Sequence, residues 1–206
     1  QCMNNMRQCV IATQSYATSH DGQVPYLVTD PYLYDAAGDQ TAPSSESIVV
    51  GMNGSTPVAI GRSWAVELMP YVESTVPYER LTSGTATFNE VLDILGGLNI
   101  EVYTCPDDPD GENGPTLSFA ANAGAVNSAE WGVPSQTQHY MAGYNDLQFN
   151  AAQNSDDYDA IFATGVFWRD SRFNGGINWT AGQNRMTLDF VANGDGDSQT
   201  IMYTEN

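Results

Sequence analysis

The chain has 206 residues, 25 of them acidic and six basic, for a formal net charge of −19. It is long enough to bury a core, and its 41% hydrophobic and 11% aromatic content marks a folded chain rather than a disordered one. No run of apolar residues is long enough to span a bilayer, and the acidic excess repels phosphate backbones and anionic lipid, so nucleic acid is excluded as an expected partner.

Residues 1–19 read as a helix. Cys2, Met6, Cys9, Thr13 and Tyr16 form one near-heptad stripe, with Met3, Val10 and Ala17 beside it. The helix begins without a cap, so it is expected to continue upstream of Gln1, and His20-Asp21-Gly22 with Pro25 stops it. Residues 23–60 are loop-rich. DAAGDQTAPSSES (35–47) reads as a surface loop, and IVVGMNGSTPVAIG (48–61) as a hairpin around Asn53-Gly54. GRSWAVELMPYVE (61–73) places Trp64, Leu68 and Val72 at helical spacing, with Pro70 distorting the last turn. FNEVLDILGGLN (88–99) is a short amphipathic helix stopped by Gly96-Gly97.

The second half reads as strands. EVYTC (101–105), TLSFAANAG (116–124), AIFATGVFW (160–168), RMTLDFV (185–191) and TIMYTE (200–205) are the candidates. Between them lie an acidic turn at 106–115, a polar irregular stretch at 125–159 and the turn NGDGDSQ. The predicted class is α+β in one domain, residues 1–206, with the N-terminal helix laid on an antiparallel sheet and loop-rich insertions.

Three cysteines occur with no CxxC pair and only two histidines, His20 and His139, which is too few soft ligands for zinc. On one helix Cys2 and Cys9 stand ~10 Å apart along the axis, beyond the roughly 7 Å that a disulfide spans. Either of them can pair with Cys105. A disulfide implies an oxidising compartment, whereas three buried thiols suit a reducing one.

No catalytic constellation emerges. There is no G-x-S-x-G, no H-E-x-x-H and no phosphate-cradling glycine loop, so the reading is that the protein is not an enzyme. Asn193, Asp195 and Asp197 alternate like the first oxygen ligands of a calcium loop. They lack the glycine that should follow the third ligand, and Thr204 stands where the bidentate glutamate belongs. Ca²⁺ is therefore a candidate cofactor there, against a glycine-rich turn whose aspartates cap backbone N–H groups. Asp107, Asp108, Asp110 and Glu112 form a second acidic cluster, and Asp156, Asp157 and Asp159 a third. Trp131, Trp168 and Trp179 suit either sugar stacking or core packing.

Four segments carry a family resemblance. QCMNNMRQCVIATQSYATSHDGQVP resembles a C-NN-(K/R)-Q…Y-x-x-x-H/D-G-x-x-P stretch, and SWAVELMPYVE resembles W-x-x-x-L-L-P-Y-L-E. TCPDDPDGENGPTLSFAANAG resembles C-P-S-D-P…S-Y-x-x-N-A-G, and DGDSQTIMYTEN resembles D-G-x-S-N-T-x-x-x-x-E-N. In this order they resemble the prepilin-like bacterial family catalogued as domain of unknown function 1559. The resemblance implies a prepilin leader and a ~20-residue apolar helix upstream of Gln1, with the precursor anchored in the inner membrane and this domain outside the cytoplasm. The later H-x9-D-G motif of full-length members is not in this sequence, which gives an expectation of truncation at both ends.

The resemblance further implies a Cys2–Cys105 disulfide, with Cys9 as a buried thiol. It implies a structural role, as a type IV pilin-like or pseudopilin-like subunit that partners itself or other such subunits at the cell surface or in an extracellular filament. In that role Met3, Val10 and Ala17 form the assembly face. The alternative is a surface module that binds glycan or calcium, borrows a pilin-type export signal and never polymerises. Exposure of those three residues is expected of a subunit, and their burial of a monomeric module.

Overall fold

In α1 (Cys2–Ser19), the buried residues Asn5, Cys9, Ala12, Thr13, Tyr16 and Ala17 recur at three- and four-residue spacing. That spacing gives the helix one inward face. The computed structural model describes residues 1–29, 31–34, 40–53, 56–109, 116–124, 165–168, 185–194, 196 and 200–205.

After α1 come two antiparallel pairs. β1 (Tyr32–Tyr34) pairs with β2 (Gln40–Pro43), and β3 (Ser47–Asn53) with β4 (Thr56–Gly61). The second pair is the hairpin expected from Asn53-Gly54, with a register shift between Val49 and Gly51. The first pair revises the 35–47 loop, because Gln40–Pro43 is strand.

Helices follow: α2 (Trp64–Glu67), a 3₁₀ turn at Met69–Val72, α3 (Thr75–Thr82) and α4 (Phe88–Gly97). α2 is capped by Ser63, whose side chain accepts from the Val66 N–H at 3.4 Å. α4 opens with a full capping box. The Glu90 N–H donates to Thr87 Oγ1 at 3.3 Å, and the Thr87 N–H donates to Glu90 Oε2 at 2.8 Å. Pro77 lies in the first turn of α3, where the missing N–H costs nothing.

The rest differs from the strand expectation in three places. EVYTC is a 3₁₀ turn at Glu101–Tyr103. Gly165–Trp168 is irregular, and the remainder of AIFATGVFW lies outside the described residues. RMTLDFV leads into a helix, α5 (Leu188–Asn193), capped by Thr187, whose hydroxyl accepts from the Phe190 N–H at 3.2 Å. The alternation of Met186, Leu188 and Phe190 suggested a strand, but the cap at Thr187 prevails. β5 (Phe119–Ala121) and β6 (Tyr203–Glu205) pair antiparallel, as short cores of the two predicted strands.

Among the described residues the α+β architecture thus has three two-stranded ladders rather than one sheet. Two apolar clusters fill it. The larger joins Cys9 and Tyr16 of α1 to Trp64, Leu68, Phe167 and Tyr203. The smaller gathers Ile48, Val50, Met69, Leu81, Ala86 and Val91 beneath α3 and α4. Leu68 and Met69 are sequence neighbours that point into different clusters, so the α2 segment links the two.

Candidate functional site

The N-terminal helix is tethered at both ends, and its outer face is the candidate site. At the first turn Cys2 is disulfide-bonded to Cys105, with Cα atoms 4.7 Å apart. One turn later the buried Asn5 amide donates to the carbonyls of Glu101 and Thr104, both at 2.8 Å. These bonds hold Glu101–Tyr103 in its 3₁₀ turn, which explains why an alternating sequence is not a strand there. The Cys105 N–H donates to Ser118 Oγ at 2.9 Å, and that hydroxyl donates to Asp108 Oδ2 at 2.6 Å. Asp108 is therefore occupied in fixing the loop after the disulfide.

Midway, Thr13 Oγ1 donates to Cys9 O at 2.9 Å, so the Tyr203 hydroxyl is the donor in the 2.6 Å Thr13–Tyr203 bond. This bond seats α1 on β6. Cys9 is a free thiol with no exposure, and burial pushes its pKa up to about 12.

At the far end the Tyr16 and His20 rings stack 3.8 Å apart, and the Tyr71 hydroxyl reaches Ser19 Oγ at 2.6 Å. The helix then turns through Asp21 and Gly22, both at positive φ, and at φ 80° Gly22 is where glycine is needed. Arg185 clamps this end. Its guanidinium lies 4.6 Å from the centre of the Tyr26 ring, bonds the Tyr16 hydroxyl and meets Glu46 at 3.4 Å. Nearby, the buried Arg62 Nε and Glu67 Oε1 pair at 2.9 Å, and Arg62 also donates to the Tyr78 hydroxyl and Ser45 O. Burial pushes the Glu67 carboxyl upward, against the pull of Arg62.

The outer face of α1 exposes Met3 at 86% and Ile11 at 50%, among Asn4, Arg7, Gln8, Gln14, Ser15 and Thr18. No acidic residue lies between Gln1 and His20, and Arg7 is the only full charge there. The expected face of Met3, Val10 and Ala17 is not a single surface. Met3 is exposed, Val10 packs half-buried against the larger cluster, and Ala17 has no exposure. The drift of a 3.6-residue turn against a seven-residue repeat carries Ala17 inward and brings Ile11 outward in its place.

The other candidates fall as follows. Asn193 is exposed at the end of α5, while Asp195 and Asp197 lie outside the described residues. Ligand atoms of Cys2, Cys105 and Asp107 lie within 4.8 Å of one another, but the two sulfurs are bonded to each other and lack the thiolate charge a metal requires. Asp110, Glu112, the 156–159 cluster, His139, Trp131 and Trp179 also lie outside the described residues. Trp168 is a core residue, 6% exposed. Sequence reasoning gave no role to Asn5, Arg185 or Asn122. Asn122 donates its side chain to Ile201 O and accepts at its carbonyl from the Val166 and Phe167 N–H groups. Asn5 and Asn122 both stand in the quoted motifs, which was the available signal.

The family described as "Protein of unknown function (DUF1559)" matches residues 1–206. No curated protein and no solved structure gives a significant match. The chain belongs to that family.

Proposed function

We propose, with that membership as the premise, that this chain is the extracytoplasmic domain of a pilin-like or pseudopilin-like subunit, working by packing rather than catalysis. The observation that carries the reading is the outer face of α1: free of acid, with Met3 and Ile11 exposed, in a chain of net charge −19. A uniformly acidic protein repels its own copies. Among the described α-helices α1 alone has no carboxylate, so it is the helix on which close packing costs least.

The tethers support the same role. A helix held by a disulfide, a buried asparagine and an arginine clamp transmits load from an upstream membrane-anchored segment into the domain. The disulfide suits an oxidising location at the cell surface or in a filament. Partners are further copies or related subunits, with the membrane engaged only by the upstream helix. Among the described residues no helix is long and apolar enough to cross a membrane.

The non-polymerising binding module draws support from Ala17, which is fully buried, and Val10, half-buried. Met3 and Ile11 weigh the other way. The test is the mature N-terminus of the native protein by mass spectrometry. The subunit reading expects a processed, N-methylated apolar residue upstream of Gln1. An unprocessed or signal-peptidase-type terminus overturns it.

A further inference from the structure

We infer that the exposed apolar stripe of α4 is the receptor for the outer face of α1 of a second copy. The inference rests on the subunit reading above.

α4 is strongly apolar in sequence, FNEVLDILGG, yet Val91 is its only buried residue. Phe88 is 53% and Leu92 50% exposed, one turn apart on the same stripe. Asp93 lies beside them, exposed and, among the described residues, without a cation. Glu90, on the same helix, is already taken by Arg80 at 2.6 Å. The outer face of α1 is the opposite in charge. Met3 and Ile11 flank Arg7, with the three residues at four-residue steps. Arg62, Arg80 and Arg185 all pair with carboxylates, while Arg7 has no partner among the described residues.

Two exposed apolar pairs, one beside the cation Arg7 and one beside the carboxylate Asp93, match as two halves of one contact. α1 packs in the larger apolar cluster and α4 in the smaller, so the halves lie on different parts of the molecule. A contact between unlike patches is heterologous, and where its rotation does not close into a ring it propagates a filament.

The experiment expresses two tagged copies of the full-length precursor in the native cell, one Ile11→Cys and one Phe88→Cys, and oxidises the surface material. The expected result is a cross-link between the two tags, absent when both copies carry the same substitution. In parallel, Arg7→Asp and Asp93→Arg should each lower the assembled fraction by about tenfold or more, and the double swap should restore it. All four sites are exposed, so melting temperatures matching the parent confirm that folding is intact. Filaments with no α1–α4 cross-link and no response to the swaps overturn this contact and leave the subunit reading standing. A Phe88→Cys cross-link to a different protein also overturns it. Absence of filaments in the parent strain overturns the subunit reading and this contact with it.

Discussion

At the scale of single residues, the buried charges are the most exacting feature. Arg62 and Glu67 have side chains 8% and 7% exposed and meet at 2.9 Å. Removing one leaves the other charged and dry. Glu67→Ala should therefore cost about 3–5 kcal/mol in chemical denaturation, while the paired change Arg62→Met with Glu67→Leu should cost markedly less. A double variant that costs the sum of the two single substitutions would show that the pair is not coupled. The cysteines give a sharper test. Alkylation of the native protein should label none of them, because Cys9 is buried with its pKa raised to about 12 and the other two are bonded. Unfolding without reductant should add Cys9 alone, and reductant should then add Cys2 and Cys105. Any labelling of Cys105 before reduction contradicts the bridge.

At the scale of elements, the tethers divide the work. The Cys2–Cys105 bridge closes a loop of sequence separation 103, and in the chain-entropy account its loss should lower stability by about 4–5 kcal/mol. A Cys2→Ser and Cys105→Ser variant tests this by its melting temperature, and an unchanged value would count against it. The α4 cap supplies a pH dependence. Bonds from the Thr87 backbone and from Arg80 hold the exposed Glu90 carboxyl down to about 2, from an ordinary value of 4.5. A carboxyl lowered in the folded state stabilises fully above its unfolded pKa and loses that contribution as pH falls through the folded value. An NMR titration should find Glu90 ionised down to near pH 2, with α4 loosening between pH 4.5 and 2, and Glu90→Gln should remove that dependence. A midpoint near 4.5 would contradict the cap. Elements with local signals were legible in the sequence: α1 from its buried stripe, the hairpin from Asn53-Gly54, α4 from its glycine stop. Where distant contacts decide the backbone, the sequence misled. Asn5 bends 101–103 from 96 residues away in the sequence, the cap at Thr187 outweighs an alternating pattern, and Phe167 takes its place from Asn122. The exposure of the outer face was half legible: the helix forms and Met3 is exposed, but a strict heptad placed Ala17 outside when its neighbours enclose it.

At the scale of the whole molecule, charge and shape argue together. None of the 25 acidic residues lies in the first helix, the one described α-helix without any. That helix is locked to the body at its first, middle and last turns, and it turns outward a face without carboxylates. Such a division of labour keeps separate copies apart in solution, and salt should weaken that repulsion. On the proposed subunit reading, α1 is then a side on which copies can meet. The central claim is that this face packs against other copies at the cell surface. Its most direct measurement is electron microscopy of material sheared from native cells, with gold-labelled antibody against this domain. The account predicts label at regular intervals along filaments. Label confined to membrane fragments or to soluble monomer, in material with no labelled filament, would contradict it.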